Sequence, residues 1–381
     1  METTIKNGTQ TKNWIKLIEH LGPQLSTNGR RHDNEESFVA ENYELIKQHG
    51  LLSAMMPNEL GGYGIAYREM CEILKKIAHY CPSTALALSM HQHLLAANIW
   101  KYKHNKGGEE VLKRVADKNL ILISTGAHDW LESNGTMEKV EGGFLVSSEK
   151  HFASQSAIGN ILVTSAPYYD PENGWQVLHF GVPMNSIGVK VLDNWYTLGM
   201  RGTGSQTVKL EKVFVPETSI VLIRPKGEYH MFWNVVLTVA MPLIMSVYVG
   251  IAEKAVKITL GKFRKTENKL PHIPFVLGEM YNQLTLSQVL LKDMIALTNN
   301  FDFLPKDETG VAILTRKTLV AEACKATVAK AMEAFGGQGF YRVNNLERLF
   351  RDVQAGNFHP LPEKQQQHFT GNFLLKNEFM T

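Results

Sequence analysis

Three short stretches of this chain hold the residue types that do chemistry. Near the C-terminus, Phe335-Gly-Gly-Gln-Gly-Phe-Tyr341 precedes Arg351-Asp352-Val-Gln-Ala-Gly-Asn-Phe-His359-Pro360. Gly336, Gly337 and Gly339 follow a helical pattern. Glycine there can take a left-handed cap, and its missing side chain lets a second backbone or a phosphate come close. On its own such a run reads first as a helix stop. His359 belongs to the residue type that titrates near neutral pH, so it could take a proton from a substrate or guard one. The second stretch, Lys150-His-Phe-Ala-Ser154, pairs an aromatic ring with a hydroxyl that can donate or accept. The third is His91 and His93, two apart on a helical pattern and therefore on different faces. At most one of them is expected in a pocket, with His91 preferred. The plain alternative is packing, since with 14 histidines a chance match is easy.

The elements that must position these residues fall into three parts: 1–118, 119–222 and 223–381. In the first, Trp14, Ile15, Leu17, Ile18 and Leu21 repeat at helical spacing, as do Phe38, Val39, Tyr43 and Ile46. Pro57-Asn-Glu-Leu-Gly-Gly-Tyr-Gly64 is a loop, and a helical pattern resumes at Tyr67 with a break near Pro82. From Leu120 short strand runs follow, including a hairpin with its turn at Gly142-Gly143, and Pro216 closes the series. Their spacing predicts a compact β-barrel or sandwich. Three long helices then read from Phe232 to Phe263, Phe275 to Thr298 and Gly310 to Phe335. Long helices with short connections pack antiparallel, as in a four-helix bundle. The fold class is mainly α with a central β domain.

Composition narrows the function. The 381 residues are 44% hydrophobic, enough for a large core. The formal net charge is +3 with signs mixed and no long basic run, which argues against nucleic acid. Cys71, Cys81 and Cys324 form no metal-ligand spacing, and an odd count argues against a disulfide framework; a cytoplasmic setting is expected and no metal. The N-terminal residues lack the apolar core of a signal peptide. Met231 to Ala252 carries no charge and could span a bilayer, but it holds Asn234, Thr238, Pro242, Ser246 and Tyr248. A helix buried on all sides of a bundle is the expectation there, with no membrane partner.

The order of parts, with four motifs, resembles the acyl-CoA dehydrogenase superfamily of flavoproteins over nearly the whole chain. The motifs are Pro57-Asn-Glu-Leu-Gly-Gly-Tyr-Gly64, Trp195-Tyr-Thr-Leu-Gly-Met-Arg-Gly-Thr-Gly-Ser-Gln-Thr with Val213-Phe-Val-Pro216, Ala334-Phe-Gly-Gly-Gln-Gly-Phe340, and Arg351-Asp352. The resemblance implies FAD, with FMN possible. It implies that Phe152 packs against the flavin ring, that Ser154 reaches its N5, and that Ser124 and Thr125 serve its pyrimidine end. Phe335, Gly336, Gly337 and Gln338 would touch the flavin of a neighbouring subunit in a homotetramer. Arg264 would meet a phosphate, although the usual Arg-x-x-Phe-Gly is absent around it.

Two departures bear on the reaction. Dehydrogenases of the family place a glutamate base shortly after the Arg-Asp pair; here the stretch is Asn357-Phe-His359-Pro360, with Glu363 and Glu228 as the nearest stand-ins. The Thr-Glu-Pro-x-x-Gly-Ser-Asp loop is replaced by Thr125-Gly-Ala-His-Asp-Trp-Leu-Glu-Ser133. Both departures resemble the two-component flavin-dependent monooxygenases of the superfamily. These receive reduced flavin from a separate flavin reductase and oxygenate a small-molecule substrate through a flavin C4a-hydroperoxide. The resemblance implies a catalytic set of His359 as base, Ser154 and His91. The other readings are an acyl-CoA dehydrogenase with an atypically placed base, and a catalytically inactive binding or scaffold subunit.

Overall fold

The structure, a computed structural model, describes residues 12–126, 132–265 and 270–376. The first helical part comprises α1 (Trp14–Glu35), α2 (Ala40–Gln48), α3 (Tyr67–Ala78), α4 (Pro82–Lys103) and α5 (Glu109–Lys118). Asn13 caps α1, its side chain accepting from the Lys16 N–H at 3.0 Å. Pro82 starts α4, where a missing N–H costs nothing. The Pro57–Gly64 loop folds back on itself so closely that a Cβ on Gly62 would lie 2.1 Å from the Met56 carbonyl oxygen.

Among the described residues the β region has eight strands: β1 (Leu122–Ser124), β2 (Thr136–Val140), β3 (Gly143–Ala153), β4 (Ile161–Asp170), β5 (Gly174–Pro183), β6 (Val189–Val191), β7 (Gln206–Pro216) and β8 (Ile220–Pro225). They form two four-stranded sheets, ordered β1-β4-β5-β8 and β2-β3-β7-β6, with only the β1–β4 pair parallel. Phe144, Val146, Leu162, Leu178, Phe180, Val208 and Val213 fill the space between them. Two details differ from the sequence reading. Val140 pairs with Gly143, so the hairpin turn is Glu141-Gly142, with Gly142 at φ 77°. The strand series also does not end at Pro216: β8 follows, and its one fully buried position is Arg224, which breaks the apolar pattern that marks a strand.

The C-terminal part comprises α6 (Phe232–Phe263), α7 (Ile273–Leu297), α8 (Asp307–Phe335), α9 (Leu346–Val353) and α10 (Glu363–Lys376). Among the described residues α6 is the one helix long and apolar enough to cross a membrane, and its most apolar stretch is wholly buried. It lies at the centre of the helical packing, in contact with α3, α4, α7 and α8. One continuous apolar core therefore runs from Trp14 to Val353, and the β region is an insertion between the two helical parts that build it. α3 and α6 meet closely at Gly250, where a Cβ would sit 2.4 Å from the Lys75 carbonyl oxygen and 2.9 Å from the Ala78 Cβ. Gly250→Ala is expected to push α3 off α6 and cost about 1–3 kcal/mol, read from urea unfolding midpoints.

Candidate active site

The β side of the site is built where β3 ends. Phe152 presents its ring to the surface, 58% exposed, edge-on to Trp195 at 5.7 Å between centroids. Ser154 lies just past the strand and is buried, with Ser154 Oγ 2.7 Å from Ser205 Oγ and Ser205 Oγ 2.7 Å from Thr203 Oγ1. Thr203 Oγ1 in turn donates to the Met200 carbonyl at 2.9 Å. Each hydroxyl owns a single proton, so this end point sets the direction of the whole chain. Thr203 gives its proton to a carbonyl that can only accept, Ser205 must donate to Thr203, and Ser154 must donate to Ser205. Ser154 is left with lone pairs alone to offer a ligand, which suits a protonated ring nitrogen such as N5–H of a reduced flavin. Ser124 and Thr125 are buried on and just after β1, with Thr125 Oγ1 3.5 Å from Thr164 Oγ1. Residues 127–131 of the departing loop lie outside the described residues.

The helical side comes from four elements. His359 follows α9, and its Nε2 lies 2.5 Å from Tyr248 Oη of α6. Burial pushes the imidazole down to about 3, helped by the positive charge of Lys317 and by His93. The residue keeps partial exposure while its ring is deeply enclosed. Lys317 of α8 is fully buried and donates from Nζ to the Leu361 carbonyl at 2.9 Å; burial lowers its pKa to about 8. His93 of α4 is buried and also held down at about 4 by burial. The Ser89 carbonyl one turn back favours its charged form, but His93 Nδ1 meets no partner in hydrogen-bond geometry among the described residues.

His91 is placed differently from the expectation. The Leu122 N–H donates to its Nδ1 at 3.1 Å, and its Nε2 lies 3.1 Å from the Leu52 carbonyl. Both ring nitrogens are committed to backbone, so His91 ties α4 to the start of β1, and the preference for it over His93 does not fit this geometry. The Leu122 carbonyl, on the next peptide unit, accepts from Gln155 Nε2 at 2.9 Å. Gln155 neighbours Ser154, and its Oε1 accepts from Tyr43. The carboxylates considered as stand-in bases sit elsewhere: Glu363 pairs with Lys364 and Gln367 on α10, and Glu228 is exposed before α6.

The motif residues further out divide into scaffold and surface. Arg351 makes a two-pronged pair with Asp33 of α1, at 3.1 and 2.6 Å, and Asp352 accepts from the Met200 N–H at 2.6 Å. Burial raises the Asp352 carboxyl to about 6, against the pull of Arg348. Gly336, Gly337 and Gln338 form an exposed turn in which Gly336 has φ 65°, with nothing within 4 Å of a Cβ at either glycine. Phe335 is buried behind it, under the Lys262 ammonium at 4.2 Å. Phe340 beside the turn is 83% exposed, an apolar side chain suited to meeting another surface. Arg264 ends α6 and is exposed.

Sequence reasoning did not single out Tyr248, Lys317 or the Thr203–Ser205 pair as site residues. Lys317 had a usable signal: it interrupts the buried stripe of α8 set by Ile313, Leu314, Ala321 and Cys324. A tyrosine inside a fully apolar helix also needs a partner for its hydroxyl.

Comparison with known proteins agrees with this architecture. Residues 22–119 match the acyl-CoA dehydrogenase N-terminal domain and residues 243–363 its C-terminal domain. The amino sugar nitrososynthase DnmZ of Streptomyces peucetius is 24% identical over 91% of this chain and 89% of its own. The nitrososynthase structure from Micromonospora carbonacea var. africana superposes with a TM-score of 0.84 at 23% identity, covering 98% of each chain. FMN-bound TdsC from Paenibacillus sp. A11-2 gives 0.82 at 18% identity, covering 97% of this chain and 99% of that one. With two matching domains on either side of a β region in the expected place, the chain belongs to the acyl-CoA dehydrogenase superfamily of flavin-dependent oxidoreductases.

Proposed function

We propose that this chain is a flavin-dependent monooxygenase that oxygenates a small organic substrate, using reduced flavin received from a separate reductase. The observation that carries the reading is the buried cluster of His359, Tyr248, Lys317 and His93 at the position where dehydrogenases of the superfamily keep a glutamate base. A histidine held near 3 has little proton affinity at neutral pH, and abstraction of an acidic C–H needs a base of matched pKa. FMN is favoured over FAD, supported by the FMN-bound structure of the same fold and by the lost pattern around Arg264.

Reduced flavin, when bound, supplies the two electrons that split dioxygen between substrate and water. The chain's own residues do the rest. Phe152 and Trp195 give a planar ring an aromatic wall, and Ser154 accepts a hydrogen bond from a protonated ring nitrogen. His359 handles hydrogen bonding on the helical side, in a setting the surrounding core keeps dry. The Gly336–Gln338 turn is proposed to reach the flavin of a neighbouring subunit, which would make the working form an oligomer.

The test mixes protein and anaerobically reduced FMN or FAD with labelled dioxygen and a panel of amines, phenols and sulfur heterocycles. One labelled oxygen in a product is the expected result. Anaerobic bleaching of oxidised flavin by acyl-CoA thioesters, with no label incorporated, would overturn the reading in favour of a dehydrogenase. Ser154→Ala is expected to weaken reduced-flavin binding about tenfold, the equivalent of one hydrogen bond, and to divert turnover to hydrogen peroxide. Unchanged affinity for reduced flavin would remove Ser154 from the site.

A further inference from the structure

We propose that Tyr248 is a positioning residue that fixes His359 in its Nδ1–H tautomer, so that His359 offers a ligand a hydrogen-bond donor and not a basic lone pair. This rests on His359 facing the reacting centre, as in the function proposed above.

The argument is an accounting of protons. Tyr248 is fully buried in the most apolar helix of the chain, and a buried phenol must place its proton on an acceptor. Among the described residues its hydrogen-bond partner is His359 Nε2. If Nε2 carried the ring proton and donated to Tyr248, the phenol proton would be left without an acceptor inside the core. With the phenol donating, Nε2 is a lone pair in use and the single proton of the neutral ring sits on Nδ1. Nδ1 makes no hydrogen bond among the described residues, which leaves it for a ligand.

The surroundings hold both groups in these states. Lys317 on α8 and His93 on α4 both disfavour a charge on His359. Asp352 on α9 and Cys324 on α8, together with burial, keep the proton on the Tyr248 oxygen. Lys317 also anchors the backbone two residues beyond His359 through the Leu361 carbonyl. The contrast with a dehydrogenase becomes one of polarity: an ionised carboxylate at this place can only accept, whereas this histidine donates toward an oxygen.

The experiment is nitrogen NMR of full-length protein labelled at its histidine rings, with the His359 signals identified by their loss in His359→Asn. The expected wild-type spectrum has a protonated Nδ1 and an unprotonated Nε2 across pH 6 to 8. Tyr248→Phe, folded by near-ultraviolet circular dichroism, is expected to move the proton to Nε2 in a measurable share of molecules. A protonated Nε2 in the wild type, or a tautomer ratio unmoved by Tyr248→Phe, overturns the proposal. As a second arm, His359→Asn keeps an amide N–H near the Nδ1 position and His359→Gln places one near Nε2. The Asn variant is expected to retain product yield at least tenfold better than the Gln variant, and the reverse order counts against the donor role. The expected spectra without oxygenation of any substrate would support the tautomer while overturning the monooxygenase reading.

Discussion

Arg351→Ala is expected to destabilise the protein by about 3–5 kcal/mol, the range for breaking a buried ion pair from one side. The guanidinium holds Asp33 of α1 with two bonds, Glu347 of its own helix at 2.8 Å, and the Leu198 carbonyl at 3.1 Å. It thereby joins the first helical part, the loop after the β6 strand and the last helices at one point. Asp33 and Arg351 are only 10% and 16% exposed at the side chain, so removing the cation strands a carboxylate that water cannot reach well. Arg351→Lys keeps the charge but loses the planar fork, and an intermediate loss is expected. Urea unfolding monitored by tryptophan fluorescence reads both. An alanine variant within 1 kcal/mol of wild type would show that the pair is not a structural tie.

The second large effect is with pH. Burial depresses His91 and His93 to about 4, and His179 and His359 to about 3. In the unfolded chain each titrates near 6.5. Between those values the unfolded state binds more protons than the folded one, so stability is lost as pH falls from about 6.5 toward 4. Asp352, raised to about 6, works in the opposite direction because the folded state takes up its proton first. Roughly three protons net remain near pH 5, a slope on the order of 4 kcal/mol per pH unit. That is comparable with the whole stability of a typical domain, so acid unfolding is expected between about pH 5 and 4. Unfolding midpoints in urea at pH 7, 6 and 5 test this directly. A flat profile across that range would mean that the imidazoles gain water or partners in solution. His179→Gln is expected to flatten the slope by about one proton.

Much of the architecture is legible in the chain because apolar periodicity dictates it. The α6 span from Phe232 to Phe263 is readable to the residue, since its uncharged portion up to Ala252 leaves no choice but burial and the helical spacing continues beyond it. β8 is not, because Arg224 occupies its buried position and only tertiary packing reveals that it is inside. The site is legible in the same uneven way. His359 stands out by its distance from Arg351-Asp352. His91 and His93 cannot be ranked from sequence, because α4 is enclosed on nearly all sides and periodicity separates faces only when one of them is wet. Tyr248 is 111 residues from the histidine it meets, and a pairing at that range leaves no local trace.

Leu122 joins the two sides of the site through its backbone. Its N–H is taken by His91 on the helical wall and its carbonyl by Gln155 beside Ser154 on the strand wall. The two peptide units that flank the Leu122 Cα thus tie both walls together, each through one buried hydrogen bond that a tilt of its wall would break. This seam is therefore fixed before anything binds beside it. A ligand resting on it spends little of its binding free energy on ordering this part of the protein.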